Sequence, residues 1–156
     1  MPRHDGCLRN RAGGHAPRRM PAGGAVMSGW SHWLLFAAAG ALGSLSRLIL
    51  SSLIGNLLGG VFPWGIFLTN LLGCFLFGMA WAAAGVLHLL GDAPRLIILT
   101  GFMGAFTTFS TFIFDCRVLL EQGQWLLLAC NICGQIALGL LALHAGIRLV
   151  SALGGA

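Results

Sequence analysis

Four apolar stretches, each close to the length of a bilayer crossing, take up almost everything after residue 27: Trp30–Ile49, Pro63–Leu87, Arg95–Val118 and Gln124–Ile147. At about 1.5 Å of rise per residue, ~20 apolar residues in a helix cross a hydrocarbon core of ~30 Å. Inside that core every backbone N–H and C=O needs an internal partner, which a stretch of this length satisfies as a helix. Charge content decides against a soluble alternative. Only 8% of the residues are charged, against roughly 25% in soluble domains, too few to cover a water-soluble core. The expected fold is therefore an all-α integral membrane protein with four transmembrane helices. Short connections make consecutive helices antiparallel and put both termini on one side. Trp30, Trp33, Trp64 and Trp125 stand at segment ends, where aromatic residues anchor at the interface.

Two regions follow from this pattern. Residues 1–27 are a basic, Gly/Pro/Arg/Ala-rich tail without periodicity, expected to be disordered. The tail has no small-residue cleavage site behind an apolar core, so it does not read as a signal peptide. Met20 and Met27 offer alternative starts, so it reads either as translated chain or as an extension upstream of the true start. Residues 28–156 form the four-helix domain.

The net charge of +5 sits mostly in the tail, which holds Arg3, Arg9, Arg11, Arg18 and Arg19. The rest of the chain is nearly neutral and offers no basic surface for nucleic acid. Without the tail, Arg95 and Arg148 fall on the N-terminal side of the membrane and Arg47 and Arg117 on the other. Two against two gives the positive-inside rule nothing to act on. Such a chain can insert both ways and pair with itself as an antiparallel homodimer. With the tail present the balance is seven to two, which favours one orientation.

Cysteine usage carries no chemistry here. Cys74, Cys130 and Cys133 lie inside apolar segments, Cys116 lies near the end of one, and Cys7 is in the tail. Cys130 and Cys133 have redox-motif spacing but no second ligand pair nearby, and they read as packing residues. His88 and His144 stand near helix ends as interfacial residues. Small residues four apart, such as Ala39 and Gly43, Gly40 and Ser44, Thr69 and Gly73, and Ala142 and Gly146, let helices approach closely in lipid.

Polar residues at membrane depth are costly and mark functional positions. Asn70 lies roughly 10 Å inside the second segment, counting from Pro63. Its amide can donate to an anion or bond a neighbouring helix. The third segment contains Gly-Phe-Met-Gly-Ala-Phe-Thr-Thr-Phe-Ser-Thr-Phe, residues 101–112, with Thr107 roughly 16 Å past Leu96. Two glycines and three β-branched threonines lower helix propensity there. Two readings stand. In one, the helix breaks at midmembrane and frees carbonyls suited to a small hard cation such as Na⁺, shared across the two-fold axis of a homodimer. In the other, it runs on and the hydroxyls bond back to the preceding turn. Phe109 and Phe112, three apart, share a helix face. Their rings either pack or turn positive edges toward an anion.

Three stretches, Gly-Ala-Leu-Gly-Ser-Leu-Ser-Arg in the first segment, Pro-Trp-Gly-Ile-Phe-Leu-Thr-Asn-Leu-Leu-Gly in the second and Gly-Phe-Met-Gly-Ala-Phe-Thr-Thr-Phe-Ser-Thr-Phe in the third, resemble the Fluc (CrcB) family of fluoride channels. The likeness covers about residues 30–150. It implies an antiparallel, dual-topology homodimer with two fluoride pores, multi-pass in the bacterial inner membrane, whose partners are a second copy, fluoride and lipid. It implies pore roles for Asn70, Phe109 and Phe112, with Ser110 and Thr111 as a hydroxyl track. The backbone carbonyls of Gly104 and Thr107 would hold a structural Na⁺ at the dimer centre. Arg47, matching an arginine that ends the first helix, and Gly73 are expected in structural or vestibule roles. The chain departs from the family at Leu48, where an aromatic is common, and at Ala105, where a second glycine is frequent. Asn131 and Gln135 align with a tyrosine and a serine that some members carry four apart near the pore on the fourth helix, and both, being polar, are expected to be able to contact an ion.

The implied activity is passive fluoride export that lowers intracellular fluoride toxicity, and not enzymatic catalysis. The chain has no nucleophile–base pair, metal-ligand cluster or phosphate-binding glycine loop. A small dual-topology multidrug exporter is the alternative, and it would need a membrane-embedded carboxylate, for which Asp115 is the candidate. A non-transporting membrane scaffold would leave Asn70 and the Thr/Phe tract as packing.

Overall fold

The computed structural model describes residues 29–85 and 92–154. The readings of the tail at 1–27, of Met20 and Met27 as starts, and of His88 lie outside the described residues. Within them, four helical spans are long and apolar enough to cross a membrane: Trp30–Leu58, Trp64–Gly85, Asp92–Glu121 and Trp125–Gly154. Among the described residues there is no strand.

The first span is a single helix, α1 (Trp30–Leu58). It runs past Ile49, where the apolar window ends, because Ser51 to Leu58 contains nothing that stops a helix. Ser51 returns its hydroxyl to the Leu48 carbonyl at 3.3 Å. The stop comes at Gly59 and Gly60, whose φ of 59° and 84° end the helix in a conformation that glycine adopts freely. At 29 residues α1 is about 43 Å long, more than a bilayer core needs. Hydropathy registers the length that lipid requires, whereas helix ends are set by local stop signals.

α2 (Trp64–Gly85) begins directly after Pro63, whose carbonyl accepts the first intrahelical bond from the Phe67 N–H at 3.1 Å. The third span is composite. α3 (Asp92–Leu96) passes into a π-helical turn, Ile97–Phe102, then α4 (Met103–Phe106). Two extended residues, Thr107 and Thr108, separate α4 from α5 (Phe109–Glu121). The broken-helix reading is therefore the one the backbone adopts. α5 closes at Gly123 (φ 68°), with Gln124 N–H to Leu119 O at 2.9 Å and Gly123 N–H to Leu120 O at 3.0 Å. Those two bonds satisfy the orphan carbonyls of the last turn. α6 (Trp125–Gly154) then runs unbroken, seven residues beyond the end of the apolar window.

Helix direction follows from contacts at glycines. Gly134 meets the ring of Phe67, Gly139 meets the Cys74 sulfur, and Gly78 meets the backbone of Leu143. Numbers rise together on both helices, so α2 and α6 run parallel along the most extensive interface of the subunit. A Cβ at Gly146 would run into the Phe75 carbonyl, and one at Gly43 into the Phe102 carbonyl. The small-residue pairs at Ala142/Gly146 and Ala39/Gly43 thus mark real backbone contacts, the second between α1 and the π-helical turn. Arg95 lies 4.3 Å from the centre of the Trp81 ring, tying the end of α2 to α3.

Candidate functional site

The break at Thr107–Thr108 would leave backbone groups unpaired in an apolar setting, and each has been given a partner or turned to a surface. Thr107 and Thr108 have extended dihedrals, φ −90°, ψ 151° and φ −143°, ψ 119°. The Thr107 N–H and its own hydroxyl both donate to Met103 O, each at 3.1 Å, closing the end of α4. The hydroxyl back-bonding expected of a continuous helix is therefore present, but at a helix end.

Asn70 closes the other side. The Thr108 N–H donates to Asn70 Oδ1 at 3.0 Å, and Asn70 Nδ2 donates back to Thr108 O at 3.2 Å. One side-chain amide thus gives the Thr108 N–H the partner that a helical neighbour would have supplied, and adds a second donor to a carbonyl that also takes the first bond of α5. Asn70 is buried on α2 and reaches the break because α2 passes beside it; Gly73, one turn on, leaves room there. A Cβ at Gly73 would collide with the Thr107 methyl group and crowd the Phe106 ring.

Thr108 is also the N-cap of α5. Its hydroxyl oxygen accepts the Thr111 N–H at 3.3 Å and lies 3.1 Å from Thr111 Oγ1 and 3.3 Å from Ser110 Oγ. Capping of this kind satisfies a free donor at the helix start and is worth about 0.5–2 kcal/mol. Ser110 and Thr111 therefore stand together as expected, gathered around the cap. On the far side of α4, Arg47 Nε donates to Ala105 O at 3.3 Å. Arg47, expected at the end of the first helix, lies inside α1. The carbonyls of Gly104 and Thr107 take none of the bonds formed at the break. Gly104 is exposed, with nothing within 4 Å of where its Cβ would be.

Beside the break lies an open cleft of about 330 Å³. Asn70, Gly73, Thr107 and Thr108 form its polar end, and Phe109, Phe112 and Gln135 flank it. The two phenylalanine rings are 5.8 Å apart and inclined at 49°. Phe112 is buried, whereas Phe109 is 75% exposed on the surface of the subunit. Gln135 of α6 accepts from Asn70 Nδ2 at 3.3 Å. Asn131, one turn earlier, is fully buried and turned away, donating to Cys116 Sγ at 3.4 Å. Of the two polar residues on α6, only Gln135 reaches the cleft.

Residues 34–147 match the family described as "CrcB-like protein, Camphor Resistance (CrcB)". The chain belongs to this family. Among its relatives, a protein of Nitrosococcus oceani named fluoride-specific ion channel FluC is 50% identical over 120 residues, covering 77% of this chain and 96% of that protein. One of the same name from Solidesulfovibrio magneticus is 52% identical over 113 residues, covering 72% and 90%. A third, from Nitratidesulfovibrio vulgaris, is 47% identical over 114 residues, covering 73% and 92%. Every residue of the cleft falls inside the stretch that matches the CrcB-like family.

The structure thus brings Asn70, Gly73, Phe109, Phe112 and Thr107 to one cleft, with Ser110 and Thr111 at the adjoining cap; Arg47 and Gly104 lie outside the lining. Sequence reasoning gave no separate role to Thr108. Its signal was legible as a threonine directly before the apolar positions of α5. The partnership of Asn70 with Thr108 had no signal, since it depends on how α2 crosses the third span.

Replacing Asn70 by leucine, of similar volume, leaves the Thr108 N–H without a partner, while the Thr108 carbonyl, as N-cap, keeps the first intrahelical bond of α5. At about 1–3 kcal/mol for an unsatisfied buried group, the Asn70→Leu protein should be less stable by roughly 1–3 kcal/mol. The thermal unfolding midpoint in detergent checks this; an unchanged midpoint contradicts the clamp.

Proposed function

We propose that this chain is a subunit of a fluoride-selective channel through which cytoplasmic fluoride leaves passively, down its electrochemical gradient. The observation that carries the reading is the identity of 50% across 96% of a protein named fluoride-specific ion channel. The cleft supports it. Two phenylalanines flank a polar end made of amide and backbone groups, and no lysine or arginine lines it. Ring edges carry partial positive charge, so Phe109 and Phe112 can stabilise an anion without a full positive charge that would trap it. Asn70 shapes the polar end, and Ser110 and Thr111 continue it with hydroxyls.

HF crosses membranes as a neutral weak acid and dissociates at cytoplasmic pH. A membrane potential negative inside then drives the trapped anion out through an open pore, lowering fluoride toxicity with no energy coupling. In this reading the protein sits in the bacterial inner membrane as an antiparallel, dual-topology homodimer. The equal split of Arg95 and Arg148 against Arg47 and Arg117 supports it, as do Gly104 and Phe109, exposed on either side of the break. The uncommitted carbonyls of Gly104 and Thr107 fit a small hard cation. Two copies facing each other would offer a structural Na⁺ an all-oxygen site, where it would supply fixed positive charge at the dimer centre. The exporter alternative gains no support from the relatives, which carry the fluoride-channel name.

Liposomes containing the purified protein should release fluoride at a rate set by the membrane potential, with little chloride release. Phe109→Ile or Phe112→Ile should reduce that flux at least about tenfold, the loss of one good anion contact. Exchange of protons for an organic cation, without fluoride flux, would refute the channel reading. A crystal structure of the dimer should show carbonyl oxygens of Gly104 and Thr107 from both copies around one ion at sodium distances; a water there removes the cation from the proposal.

A further inference from the structure

A pair of side chains able to bind metal stands outside the cleft. Cys130 and Cys133 are free, exposed thiols three residues apart on α6. Asn131, between them in sequence, is fully buried and turns to Cys116 of α5, while Gln135 turns to Asn70 at the cleft. The two thiols therefore occupy another face of the helix, where neither bonds any described residue. Packing within the subunit, the role read from their spacing, does not account for them. Residues three apart on a helix have Cβ atoms about 5–6 Å apart. A metal–thiolate bond is about 2.3 Å for zinc, so a linear sulfur–metal–sulfur unit spans roughly 4.6 Å, which this pair can bracket. Their surroundings are apolar. Counted from Trp125 they lie about 8 and 12 Å along the helix, within the hydrocarbon. Leu126, Ala129 and Ala137 are exposed beside them, and from Trp125 to Leu143 α6 carries no charged residue and no histidine.

We propose that Cys130 and Cys133 form a binding site for a soft, two-coordinate divalent metal ion, with mercuric ion as the type case. Thiolates select soft metals, and the apolar setting narrows the choice by charge. Two thiolates and one divalent ion make a neutral complex. A monovalent ion between the same sulfurs leaves a net negative charge in lipid, which is costly. Structural zinc takes four ligands, and among the described residues no group of three or more His, Cys, Asp or Glu side chains is placed to hold a metal. The step balances without a redox partner. Neutral mercuric chloride enters the lipid, two Hg–S bonds replace two Hg–Cl bonds, and the two S–H protons leave with two chlorides. Mercury and sulfur keep their oxidation states. The site is independent of the fluoride-channel reading.

The test treats the full chain in detergent with one equivalent of mercuric chloride, alkylates the remaining thiols and maps the modified peptides. Cys130 and Cys133 should both be protected, and zinc chloride should protect neither. The two thiols act as a chelate, so Cys130→Ala and Cys133→Ala should each weaken mercury binding at least about a hundredfold, read by competition with a monothiol. Both positions are exposed, so thermal midpoints should stay at the wild-type value; Cys130→Ser and Cys133→Ser repeat the comparison where an alanine protein fails to fold. Thiols at 130 and 133 that stay open to alkylation, or protection of Cys74 or Cys116 in their place, overturn the proposal. So does a single-alanine protein that binds mercury as tightly as wild type, the result expected of a bridge between two copies. Zinc protection equal to that of mercury overturns the two-coordinate assignment.

Discussion

A helix can be interrupted in an apolar environment only if the backbone groups it releases find other partners. In this subunit one side-chain amide meets most of that demand. Asn70 accepts from the N–H of Thr108 and donates to its carbonyl, so α2 becomes part of the hydrogen-bonding of the third span. The cap made by the Thr108 hydroxyl then restarts the helix as α5. The cleft, the placing of Phe109 and Phe112 at the start of α5, and the orientation of Gln135 all follow from those bonds.

The close packing of the remaining helices keeps this arrangement in register. Gly73 lets α2 lie against Thr107 and Phe106, and Gly78 and Gly146 bring α2 and α6 into backbone contact. α6 is thereby fixed parallel to α2, which sets Gln135 opposite Asn70. In lipid, where apolar side chains gain nothing by leaving the solvent for each other, such close approach is the main source of helix association. The glycines are therefore as necessary to the site as the polar residues they align.

Much of the fold was legible in the sequence, because bilayer length and low charge leave few alternatives. The four spans fall where the apolar windows predict. Their ends do not, since α1 continues through Ser51–Leu58 until Gly59, and α6 continues through Arg148 to Gly154, the last described residue. Propensity in residues 101–112 pointed to weak helix but could not choose between a break and a continuous helix. That choice was made by a residue on another helix. Gln135 was marked in the sequence as a polar residue of the fourth helix, but its bond to Asn70 depends on Thr108 orienting that amide. The π-helical turn at Ile97–Phe102 had no sequence signal that we can identify.

The account rests on a rigid break whose amide is held by Asn70 in the unliganded subunit. Hydrogen exchange at the Thr108 amide measures this most directly. Protection comparable to that of interior amides of α2 is the predicted result. Exchange at the rate of an unprotected loop amide would show that the clamp is not formed, and would contradict the account of the site built on it.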